Sequence, residues 1–250
     1  MPSFVWDRKT DEAYAEPYEY GAQEQFSREA GKVLNYLREH YSKFNLTFAR
    51  DDTSLEKAVW MLQVDGLEAL TDSLLMTDEK KHRIATRLFR DAVETVDISA
   101  YFFMGGEETK VDLDKWHQNK VIPHRKFREF IKKHRGEEEA NNLRSLYSNL
   151  SKYTHRTHEA ISNSYSLGRG ELLVYDNFRE SRLLVLPHVI SFCYAFIAAL
   201  IKRFIDIAEK TKQIDNKAID QIWKGALEKE TIPRRFGPGR LLRGPLIEIS

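Results

Sequence analysis

The chain has 250 residues, 39 Lys or Arg against 38 Asp or Glu, 42% hydrophobic residues and one cysteine. That balance excludes a disordered chain, an internal disulfide, a zinc site built on paired cysteines and a protein that coats nucleic acid by bulk charge. A chain of this length buries on the order of 70% of its unfolded surface without staples, as one large domain or one domain with appendages.

Met1 to Arg8 has neither the basic start nor the apolar stretch of a secretory signal, which predicts a cytoplasmic protein. A first helix is predicted from Ala22 to Phe44, where Phe26, Ala30, Val33, Leu37 and Tyr41 recur at steps of three and four. Asn45 to Asp52 reads as a loop. The second helix starts at Thr53 or Ser54, whose hydroxyl, followed by Glu56, caps the free amides. It carries Val59, Leu62, Leu67, Leu70, Leu74 and Leu75 and is expected to end before Asp78. The third, capped by Thr77 or Asp78, runs to Met104, where Gly105 and Gly106 stop it. Arg87, Arg90, Asp91 and Glu94 interrupt its apolar pattern. Arg90 and Glu94, four apart, share a face and can pair, either as a solvated ion pair or as a partly buried one that must stay intact.

A polar linker leads to a short helix with Phe127, Phe130 and Ile131. Glu137, Glu138 and Glu139 then place acidic residues at the positive end of another helix, expected to reach Ser162. At 3.6 residues per turn, Tyr147, Ser151, His155 and His158 fall along one stripe of it. A phenol, a hydroxyl and two imidazoles in line are either buried groups satisfying one another or a site. Around Gly168, Arg169 and Gly170 the chain turns, and Leu172 to Tyr175 reads as a loop or a small hairpin.

A long apolar helix is predicted from Ser181 to Lys212. Leu183 to Ile201 holds 19 residues without an acidic or a Lys/Arg side chain, but Pro187, His188 and Ser191 argue for a helix at the centre of a bundle rather than a membrane span. Cys193 in that run behaves as a small hydrophobe. A last amphipathic helix spans Asp215 to Lys229. The tail, Thr231 to Ser250, carries three prolines, three glycines and four arginines for a net charge of +3, with Leu241, Leu242, Leu246, Ile247 and Ile249 as apolar anchors. It is expected to be non-helical and to be ordered against a second copy or a partner protein.

The fold class that follows is all-α, an up-and-down bundle of four to five long helices with extra helices at both ends. Its expected organisation is an N-terminal helical extension over residues 1–50, the bundle over 51–212, and a C-terminal helix with a basic tail over 213–250. Glu79 with His82, and His155 with His158, have spacings that metal sites use. Di-metal bundles need such a motif on two helices plus two further core carboxylates, so neither a metal nor another cofactor is expected.

Arg90-x-x-x-Glu94 opens an apolar helix with Tyr101. About fifty residues later comes Leu146-Tyr147-x-x-Leu150-Ser151-x-x-x-His155, and then a long apolar helix. Across Leu55 to Lys212 this pattern resembles a bacterial branch of the HEPN superfamily. The resemblance implies a homodimeric bundle and a metal-independent RNase or nucleotide-binding effector of a toxin–antitoxin or anti-phage system. Its catalytic set would be His155, Ser151, Tyr147, Arg90 and Glu94, with Lys152, Arg156, His158 and Arg144 contacting nucleic acid. The family RNases carry an Arg about one and a half turns before the His, and Leu150 stands at that position here. Arg144 lies roughly 16 Å back along the axis and Arg156 points about 100° away. The charge would therefore come from Lys152, Arg90 or a second subunit. The alternative is a non-catalytic helical dimerisation or interaction module.

Overall fold

The computed structural model describes residues 19–43, 48–79, 81–155, 165–167, 173–175, 187–215, 217, 218 and 220. They form an all-α bundle. The long helices are α1 (Glu19–Ser42), α2 (Leu55–Asp78), α3 (His82–Gly105), α6 (Glu137–Thr154) and α7 (Pro187–Lys210); the shorter α4 (Lys110–His117) and α5 (His124–Arg135) lie between α3 and α6. Of the two readings for the segment before the last long helix, the hairpin is the one adopted: β1 (Tyr165–Leu167) pairs antiparallel with β2 (Leu173–Tyr175), Ser166 opposite Val174.

α2 and α3 are the central pair. Gly66 lets them approach closely, because a Cβ at that position would lie 2.9 Å from Val96 Cγ2. Leu67 and Leu70 of α2 and Phe89 and Val93 of α3 share one core with Leu34 and Tyr41 of α1 and Phe204 of α7. A second core joins Phe102 of α3, Phe127, Phe130 and Ile131 of α5, and Leu143 of α6. Each such side chain contributes roughly 1.5–3 kcal/mol by leaving water. The buried Gln63 satisfies its amide across three elements: its carbonyl oxygen accepts from the Tyr41 hydroxyl, and its nitrogen donates to Thr211 Oγ1 at 3.0 Å. Burial pushes the Tyr41 hydroxyl well above its ordinary pKa.

Local chemistry explains most boundaries. Ser54 caps α2 by accepting from the Lys57 backbone N–H at 3.2 Å. Gly106, at φ 48°, ends α3 in a conformation that an L side chain rarely adopts. The expected cap of α3 is different: Thr77 is buried inside α2 and its hydroxyl bonds the Ser73 carbonyl at 2.8 Å, so α2 continues through Asp78 and α3 starts at His82 without a side-chain cap. The polar linker after Gly106 contains α4, whose apolar residues, Val111, Leu113 and Trp116, fall within two turns, too short a run to register as a period. α6 stops at Thr154 rather than Ser162, and His155, at φ −91° and ψ 13°, is its C-cap.

Asp215 accepts from the Ala218 backbone N–H at 2.6 Å, the cap expected of a helix beginning there. The rest of that helix, the Thr231 to Ser250 tail and the segment around Gly168 to Gly170 lie outside the described residues. No helix among the described residues is long and apolar enough to cross a membrane.

Candidate functional site

α3 carries Arg90, Glu94, Asp97 and Tyr101 at steps of four, three and four, which puts three charges and a phenol along one face. Tyr147 of α6 meets that face. Its hydroxyl donates to Glu94 Oε1 and accepts from Arg90 Nη2 at 2.7 Å, while Arg90 Nε donates to Glu94 Oε1 at 3.2 Å. The expected juxtaposition of Tyr147 with Arg90 and Glu94 is therefore present, as a partly buried three-membered network.

Ser151 and His155 do not join it. The Ser151 hydroxyl bonds back to the Tyr147 carbonyl at 2.8 Å, and His155 is exposed. The reason is geometric. Steps of four overshoot the 3.6-residue turn, so eight residues turn about 80° away from Tyr147 and advance about 12 Å along the axis. Lys152 and Arg144 are exposed on α6, and neither lines the cleft formed beside Tyr147. Arg156 and His158 lie outside the described residues.

That cleft, about 1370 Å³, has two walls. One is built by Arg90, Glu94 and Tyr147 with His124 and Arg128 of α5. The other is the loop before α2, including Phe48 and Asp52, backed by Trp60 of α2 and by Trp116 and His117 at the end of α4. The volume exceeds the roughly 300–1,000 Å³ of ordinary small-molecule pockets.

His124 anchors the first wall. Its ring stacks on Tyr147 with centroids 4.4 Å apart and planes 14° from parallel. Its Nε2 lies 2.8 Å from Asp97 Oδ2, and Asp97, fully buried, takes Arg203 of α7 on its other oxygen. Because a carboxylate only accepts hydrogen bonds, it is Nε2–H that donates to Asp97. Nδ1 is buried without a hydrogen-bond partner among the described residues.

The electrostatics favour an anion. Arg90 Cζ sits 4.9 Å and Arg128 Cζ 5.9 Å from the Tyr147 ring centroid. α5 carries six Lys or Arg and one Glu in twelve residues. Arg125, Lys126, Lys132, Lys133 and Arg135 each pair with a carboxylate. Arg128 forms no ion pair or hydrogen bond among the described residues, which leaves its guanidinium available to a ligand.

The opposite wall is set by Lys57. Its ammonium, on a residue only 9% exposed, donates to the carbonyls of Ala49 at 2.5 Å and Arg50 at 2.7 Å and so fixes the loop. Asp52 Oδ1 accepts from the Ser54 backbone N–H at 2.7 Å. That bond, the Ser54 hydroxyl and the Lys57 charge hold the Asp52 carboxyl below the usual carboxylate range. Phe48 packs on Trp60, centroids 5.7 Å apart, and His117 Nε2 is buried without a partner among the described residues.

The sequence expectations missed His124, Arg128, Asp97 and Arg203. Two signals were present: a lone carboxylate inside the apolar run from Val96 to Phe103, and the charge of α5 itself, which makes the C-terminal tail only one of two basic segments. Among the described residues no group of three or more His, Cys, Asp or Glu is placed to hold a metal ion. Comparison with protein-family models, curated proteins and solved structures finds no match to this chain.

Proposed function

We propose that this chain is a HEPN-like helical-bundle effector that binds single-stranded RNA in the cleft between Tyr147 and Trp60, in a bacterial toxin–antitoxin or anti-phage setting. The observation that carries the reading is Arg128, without an ion pair or hydrogen bond among the described residues, beside Arg90 and Tyr147 in a cleft also lined by Phe48, Trp60 and Trp116. A guanidinium free of carboxylates takes a phosphate in a bidentate fork, and the partly exposed rings of Phe48, Trp60 and Trp116 offer stacking surface to unstacked bases. The test is fluorescence anisotropy of a labelled single-stranded RNA hexamer with the full chain. Binding that weakens with salt supports the reading, and no binding at low salt refutes it.

Metal-independent cleavage belongs to the same reading. His155 serves as general acid or base, and since Arg90 is engaged with Tyr147 two turns away, a second subunit of a homodimer supplies the cation. His155→Ala then abolishes cleavage, and chelators leave it unchanged. The exposed position of His155, apart from Arg90 and Glu94, favours a second reading, a non-catalytic interaction module. RNA binding without cleavage by a protein that light scattering finds monomeric would select it.

A further inference from the structure

Tyr147 has the three relations that activate a nucleophile. Its hydroxyl donates to Glu94 Oε1, which can take the proton. Arg90 Nε donates to the same carboxylate oxygen at 3.2 Å and orients it. Arg90 Nη2 donates to the hydroxyl oxygen at 2.7 Å, where negative charge develops once the proton leaves. The stack on His124, itself bonded to the buried Asp97, holds the ring in place. All three groups line the cleft, with Arg128 over the tyrosine ring. Six Lys or Arg line that cleft against three carboxylates, Asp51, Asp52 and Glu94, so the lining as a whole draws a polyanion towards the nucleophile.

Resting on the RNA-binding reading above, we infer that Tyr147 is a covalent nucleophile that takes a phosphate of the bound strand as a phosphotyrosyl ester, with Glu94 as its general base. The bond from Tyr147 Oη to phosphorus forms as the phenolic proton passes to Glu94. The bond from phosphorus to one bridging oxygen of the strand breaks, and that oxygen leaves as a hydroxyl carrying the proton from Glu94. One phosphodiester replaces another, so atoms and charge balance without a redox partner or a co-reactant. Arg128 meets the charge on the non-bridging oxygens. The ribose 2′-hydroxyl takes no part, which separates this step from a strand's attack on its own phosphate.

The experiment incubates the full chain with single-stranded 2′-O-methyl RNA hexamers labelled at the 5′ or the 3′ end, which lack the hydroxyl that RNA uses against itself. One labelled end is expected to migrate with the protein on a denaturing gel, and peptide mass spectrometry should map the ester to Tyr147. The departing piece of a hexamer is too short to stay bound and reverse the step. Tyr147→Phe keeps the ring and its stack on His124 and should abolish the adduct. Glu94→Gln keeps an acceptor for the hydroxyl and for Arg90 and should slow adduct formation about 10²–10⁴-fold, the scale of one general base. Anisotropy should find both variants still binding the hexamer, and Tyr36→Phe, a change at an exposed tyrosine, should leave the adduct in place. Binding without an adduct, or an adduct that survives Tyr147→Phe or maps to another residue, overturns the nucleophile and leaves RNA binding standing. A rate unchanged by Glu94→Gln overturns Glu94 as the base. Failure to bind the hexamer removes the RNA reading and the nucleophile together.

Discussion

The imidazole of His124 lies flat on the ring of Tyr147, 4.4 Å between centroids, and this contact joins the cleft to the interior of the bundle. Behind it runs a chain of bonded groups, His124 to Asp97 to Arg203, that crosses from α5 through α3 to α7. The cleft wall is therefore held by a buried carboxylate.

Asp97→Ala should destabilise the protein by about 3–5 kcal/mol, because it strands the Arg203 guanidinium and leaves the His124 Nε2–H without its acceptor. Urea unfolding at pH 7 measures the loss. A cost under about 1 kcal/mol, the scale of a single exposed pair, would mean that the network does not hold the wall.

Gly66→Ala sets two effects against each other. Alanine favours the helix by about 1 kcal/mol, but its Cβ would meet Val96 Cγ2 at 2.9 Å, and overpacking of this kind costs about 1–3 kcal/mol. Val96 is β-branched and stiff in a helix, so the clash wins and net destabilisation of up to about 2 kcal/mol is expected. The double variant with Val96→Ala should be less sensitive to the added methyl. If the two changes are additive, close packing of α2 on α3 is not the cause.

Arg128→Ala should weaken RNA binding and reduce the slope of log affinity against log salt by about 0.7, the loss of one phosphate contact to a single strand. Stability should change by less than about 0.5 kcal/mol, since Arg128 has no ion pair among the described residues to lose. An unchanged slope places the phosphate elsewhere.

The Asp112 carboxylate is opposed by burial, which raises its pKa, and favoured by hydrogen bonds from Tyr101, Lys126 and Lys115, which outweigh burial and hold it below the ordinary range. A lowered folded-state pKa gives stability that is present above about pH 4 and lost as pH falls through the folded value. Asp112→Asn should therefore lower the urea midpoint at pH 7, with the difference shrinking towards pH 3. A gap that stays constant with pH would assign the effect to packing.

The amphipathic periods of α1, α2 and α3, the cap at Ser54 and the stop at Gly105 and Gly106 are local features, and each follows from residues within a turn or two of one another. That is why the all-α class and the principal helix boundaries are legible in the sequence. Arg90 and Glu94 are legible for the same reason, as an i, i+4 pair.

Position about the helix axis was harder to read. Tyr147, Ser151 and His155 look equivalent at steps of four, yet the 3.6-residue turn carries His155 to the exposed side of α6 while Tyr147 faces α3. Only packing decided which member of that stripe met Arg90. The meeting of His124, Asp97 and Arg203 depends on contacts separated by 27 and 106 residues. No local pattern encodes such contacts, because they arise when burial of the α3 face forces its one interior carboxylate to find charges on whichever helices close over it. The loop before α2 has the same origin: nothing local marks it in the sequence, and it is the buried Lys57, bonded to the carbonyls of Ala49 and Arg50, that fixes it beside the cleft.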